Sequence, residues 1–148
     1  MWNSLRHKAR VARGLSFTDW LAFAEAWRAL LVFYFALRWI SYARLSAGRD
    51  SRLENSSALM EARRLHRFIG WAARLHLLPM TCLVQSLALR WMLARRGIAA
   101  QLKIGAAKDP RGFRAHAWLE VNEEKVGESQ DVEGIFRVLR GTSPQNTS

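Results

Sequence analysis

The chemistry available to this chain starts with its single cysteine, Cys82. It follows Pro79-Met80-Thr81 and opens the apolar run Leu83-Val84-Gln85-Ser86-Leu87. A thiol attacks a carbonyl only as thiolate. The first turn of a helix lowers a thiol's pKa and offers backbone N–H groups to an oxyanion. Such a nucleophile needs a base within hydrogen-bond reach and a third group to orient that base. His116 has the position for the base, on the polar side of an alternating segment. A carboxylate on the next strand would face it, and Glu128 and Asp131 both stand there. Spacing alone is not specific, because free cysteines are commonly small buried hydrophobes and single strand histidines are commonly structural.

The elements that must position these groups are readable along the chain. Ser16 and Asp19 have capping-box spacing, with Asp in place of Glu. No Pro or Gly follows until Gly48, which favours one long helix from Phe17. Trp20, Phe23, Trp27, Leu30, Leu31, Tyr34 and Leu37 recur at helical spacing, and so wide a face implies burial on more than one side or a partner. Ala47 to Ser57 reads as a loop. A second helix, Ala58 to Arg74, should turn Leu59, Leu65, Phe68, Ile69 and Ala72 inward and Glu61, Arg63, Arg64 and Arg67 outward. Pro79 stops it, Thr81 caps the next helix, and Gly97 ends that helix after Arg95. Leu83, Leu87, Trp91 and Ala94 form its expected apolar stripe.

The period then changes. Ala99 to Ala106 is strand-like, Lys108 to Gly112 is a turn cluster, and Phe113 to Val121 alternates. Phe113, Ala115, Ala117, Leu119 and Val121 point one way; Arg114, His116, Trp118 and Glu120 point the other. A tight turn at Asn122 to Glu124 and a short strand through Val126 would follow, and Ile135, Phe136, Val138 and Leu139 read as a closing apolar segment. The expected class is α+β, with an N-terminal helical part packed on a small antiparallel sheet and the nucleophile at a helix N-terminus. The expected organisation is a basic segment 1–16, a single domain 17–140 (helices 17–96, strands 99–127) and a disordered tail 141–148.

Composition bounds the rest. With 148 residues and 50% hydrophobic content, one domain with a real core is expected and general disorder is excluded. A single cysteine excludes a disulfide scaffold and suits a reducing cytoplasm. The basic N-terminus lacks the form of a signal peptide. The greasiest run, Ala29 to Leu37, is too short to span a bilayer, though an Arg-flanked aromatic helix suits a membrane surface. The net charge of +11 predicts anionic partners. A nucleic-acid-binding module would want the cations on one face, and here they are spread along the chain. No Gly-rich phosphate loop is present, so no cofactor is evident from the residues.

The local wording is more specific than the spacing. Pro79-Met80-Thr81-Cys82-Leu83 and Leu93-Ala94-Arg95-Arg96-Gly97, then Ala115-His116-Ala117-Trp118-Leu119-Glu120, resemble in order and separation the lasso peptide maturation proteases, whose peptidase domain is transglutaminase-like. The long first helix and Arg-rich second helix are similar too, so the resemblance runs from about Phe17 to Leu139. It implies the split form of that family (B2), which works with a separate leader-recognition protein (B1), since the chain has no room for a fused recognition domain. The substrate would be a ribosomally made precursor peptide, cut between leader and core. A lasso cyclase would then use the freed amine. By resemblance Cys82 matches the nucleophile and His116 the base. The family's aspartate falls about where Glu128 stands, which favours Glu128 over Asp131. ATP dependence is implied by the family alone. Gln85, Trp118 and Glu120 are candidates for the substrate cleft. No nucleic acid is expected as partner; peripheral membrane contact and an acyl-transferring variant of the reaction stay open.

Overall fold

The computed structural model describes residues 16–40, 56–109, 112–127 and 137–138. Among the described residues three helices precede a sheet: α1 (Phe17–Trp39), α2 (Ser56–Leu75) and α3 (Cys82–Ala94). The expected capping box opens α1. The Ser16 hydroxyl accepts from the Asp19 amide, and the Asp19 carboxylate accepts from the Ser16 amide at 3.1 Å. α1 ends at Trp39, before the expected loop, whose residues up to Asn55 lie outside those described. The Thr81 hydroxyl accepts from the Val84 amide at 3.4 Å and caps α3 as expected. Past its end the Gly97 amide reaches the Ala94 carbonyl and the Ile98 amide the Leu93 carbonyl. That six-to-one closure needs a left-handed residue, and Gly97 supplies it at φ 71°.

The core lies between the helices and one face of the sheet. α1 contributes Ala22, Ala26, Ala29, Leu30 and Phe33. This corrects the expected stripe in part: Leu30 is buried and Phe23, Tyr34 and Leu37 pack against the core as expected, but the tryptophans do not. Trp20 and Trp27 are exposed, and the buried sector is rotated by about a quarter turn from the Trp-bearing one at 100° per residue. The reason is steric: alanines let α2 and α3 approach closely, whereas two tryptophans would hold them off. α2 buries Ala58, Ala62, Leu65, Phe68, Ile69 and Ala72, close to expectation. α3 is buried on most sides through Val84, Leu87, Ala88, Leu89, Met92 and Leu93, while Trp91 and Ala94, expected inside, face out. The Arg95 guanidinium covers the Trp91 ring at 4.8 Å.

Glu61 and Arg64 were expected outside and are instead half-buried in an ion network that ties the helices together. Arg64 Nε donates to Asp19 at 3.2 Å and Nη1 to Glu61 at 3.1 Å, while Arg96 Nη2 donates to Glu25 at 2.7 Å. Arg64 above all, and then the Ser16 cap, hold the Asp19 carboxyl below its ordinary value.

The sheet has the order β3-β2-β1-β4, all antiparallel: β1 (Gln101–Asp109), β2 (Gly112–Val121), β3 (Glu124–Lys125) and β4 (Arg137–Val138). The hairpin register sets Gly105 opposite His116 and Lys103 opposite Trp118. The β2–β3 turn is two residues long, with Asn122 and Glu123 both at positive φ, the backbone that matches strand twist. Ala117, Leu119 and Val121 join the main core as the alternation predicts, but Phe113 and Ala115 lie exposed at the far end of the hairpin. Trp118, on the opposite face, is buried as well and packs with Ala107 apart from the main core. β4 supplies part of the expected closing segment. Ile135, Phe136 and Leu139, the terminal segments and the tail lie outside the described residues.

Candidate active site

Cys82 is the first residue of α3, and its side chain is half-buried. Thr81 takes the next free amides: its hydroxyl that of Val84, its carbonyl that of Gln85 at 3.0 Å. The amides of Cys82 and Leu83 have no protein partner among the described residues. Two N–H groups and the positive end of the helix therefore stand beside the sulfur. That is the requirement for stabilising both a thiolate and an oxyanion.

α3 runs beside the edge of β2 that β3 leaves open, because β3 pairs only Glu120 and Val121. Ser86, one turn beyond Cys82, is buried and donates to the Ala117 carbonyl at 3.1 Å, pinning helix to strand next to His116. The result is a cavity of about 170 Å³ lined by Cys82, Gln85, Ser86, His116 and Trp118 among others. Helix-borne thiol and strand-borne imidazole thus line one cavity.

The other predicted residues divide. Trp118 lines the cavity, is 2% exposed, and its ring lies 6.1 Å from that of His116, inclined by 23°. Its indole N–H donates to Glu120 at 3.1 Å. Glu120 is not among the lining residues; Lys103 holds its other oxygen at 3.6 Å. Glu120 thus orients Trp118 instead of reaching the cavity itself. Gln85 lines the cavity and donates to the Met80 carbonyl at 2.8 Å, closing the turn ahead of the cysteine. Glu128 and Asp131 lie outside the described residues.

Sequence reasoning missed His66. It comes from α2 and lines the same cavity. Its imidazole sits against Gly127, where a Cβ would overlap the ring. The only signal in the sequence was its place at the shoulder of the buried α2 face, beside Leu65 and Ile69. Ser86 was missed too, because a serine within an apolar helix carries no periodicity signal.

A helix-first cysteine, a hairpin histidine and an antiparallel sheet define a transglutaminase-like core, and the family comparison agrees. Residues 27–141 match the transglutaminase-like superfamily, and the chain belongs to it. That span holds Cys82, His66, His116, Glu128 and Asp131. No curated protein and no solved structure matches the chain significantly. The superfamily is consistent with cysteine peptidase or acyltransferase chemistry.

Proposed function

We propose that this protein is a cysteine peptidase that removes the leader from a lasso peptide precursor in the cytoplasm, together with a separate leader-recognition protein and a lasso cyclase. The observation that carries the reading is Cys82 at the start of α3 in one cavity with His116. The two motifs around these residues support the narrower substrate assignment.

In this mechanism His116 takes the Cys82 proton and the thiolate attacks the scissile carbonyl. The amides of Cys82 and Leu83 receive the oxyanion. His116 returns its proton to the leaving amine, and water then hydrolyses the thioester. Trp118 walls the imidazole on one side. Glu128 is the proposed orienting acid, with Asp131 as alternative; alanine substitution of each separates them, the larger loss marking the member that acts.

The test is incubation with the precursor and the leader-recognition protein, read by mass spectrometry. Wild type should release the leader. Cys82→Ala and His116→Ala should release none while keeping the far-UV spectrum of the fold. Cleavage at the wild-type rate by either variant removes the catalytic assignment.

A further inference from the structure

One large feature of the molecule lies outside the Cys82 cavity. Opposite its buried alanines, α1 carries a second apolar face. Phe17, Leu21, Val32, Phe35 and Trp39 are all exposed, Phe17 and Trp39 by 78% and 87%. At 100° per residue they fall within a sector of about 60°, along a helix about 33 Å long. Arg28 lies in the same sector, and exposed Arg38 lies beside it.

Among the described residues of α1, the charges beside this face have one sign. The two acids of α1 are consumed inside the protein, Asp19 by Arg64 and Glu25 by Arg95 and Arg96. Arg28 and Arg38 have no acidic partner among the described residues. In sequence the helix is preceded by Arg6, Lys8, Arg10 and Arg13 with no acid among the first fifteen residues, and the chain as a whole carries +11. An apolar ridge with one arginine within it and another along one side is complementary to an anionic lipid surface: rings enter the acyl boundary, and the long guanidinium side chains reach back to the headgroups.

α1 also passes the length and hydropathy criteria for crossing a membrane. Crossing would strip Ala22, Ala26, Ala29, Leu30 and Phe33 from α2 and α3, so the helix can offer only its outer half. We propose that α1 is a membrane-surface docking element, lying flat on anionic lipid through its Phe17–Trp39 ridge while its inner face stays in the core. This is independent of the catalytic assignment.

The experiment is flotation of the full chain with vesicles of phosphatidylcholine, or of equal phosphatidylcholine and phosphatidylglycerol, at low and high salt. The chain should float with the anionic vesicles, poorly with the neutral ones, and less at high salt. Phe35→Ser with Trp39→Ser should lower the floating fraction at least tenfold while leaving helix content and Cys82 alkylation unchanged. Failure to float with anionic vesicles overturns the proposal. So does flotation that the double substitution leaves intact, which would mean charge alone. A dimer in sedimentation that the same substitutions split, with no vesicle capture, assigns the face to a second copy and overturns it equally.

Discussion

Gly127→Ala is the sharpest structural test of how the cavity is built. Gly127 sits at φ +78°, and an added Cβ would lie 2.5 Å from His66 Nε2 and nearer still to Nδ1 and Cε1. Two costs follow. The left-handed backbone costs an L-residue about 1–2 kcal/mol. The imidazole must also leave its seat, at about 0.5–1.5 kcal/mol for a displaced rotamer. Together they predict a loss of about 2–3 kcal/mol, or a melting temperature lower by roughly 4–12 °C for a domain of this size. The assay is urea unfolding of wild type, Gly127→Ala, His66→Ala and the double variant. His66→Ala empties the seat, so in its background Gly127→Ala should cost only the backbone part. The cycle should therefore show a coupling of about 0.5–1.5 kcal/mol. A Gly127→Ala protein within about 0.5 kcal/mol of wild type, or additive losses, would refute the idea that His66 is seated on that backbone.

Other outcomes follow from the same contacts. Ser86→Ala removes the buried hydroxyl that donates to the Ala117 carbonyl, and should cost about 1–3 kcal/mol by denaturation. It should also slow Cys82 alkylation or cleavage more than a stability-matched core variant does, since it loosens helix from strand beside His116. Asp19 titrates below its ordinary value, mainly because of Arg64. Its contribution is therefore fully present above the unfolded carboxyl pKa of about 3.9 and fades as pH falls through the lower folded value. Asp19→Asn should then be less stable than wild type at pH 6 and converge with it in strong acid, as unfolding curves from pH 2 to 7 would show.

What the sequence disclosed was whatever depends on neighbouring residues. Ser16, Thr81 and Gly97 act within a turn of their own position, so caps and ends were legible. So were the tight turn near Asn122 and the alternation of β2 from Ala117 to Val121. The orientation of α1 was not, because the helix is apolar on nearly every side and helical spacing alone put Trp20 and Trp27 on one face with Leu30. The packing instead selected the alanine face. Glu61 and Arg64 were assigned to solvent because the groups that claim them lie on other elements, Asp19 on α1 and Arg96 in the turn after α3. His66 was missed for the same reason: its meaning comes from Gly127, far along the chain.

The acyl group has two possible fates, since a thioester can be captured by water or by an amine. Transfer to an amine needs a site that keeps water from the thioester until the acceptor arrives. Here Cys82 and His116 are both only half-buried, and the cavity beside them has room for several waters at about 30 Å³ each. Buried residues of the wall, Trp118, Ser86 and Leu89 among them, back the pair, while the thiol and imidazole themselves keep partial solvent access. That access supports hydrolysis. It also fits the proposed division of labour, in which the freed core amine is joined elsewhere by the cyclase. Adding a large excess of a small amine during cleavage reads the balance directly. A product with a new N-terminus and an unmodified leader carboxylate fits hydrolysis, whereas an amide on the leader carboxyl would turn the assignment to acyl transfer.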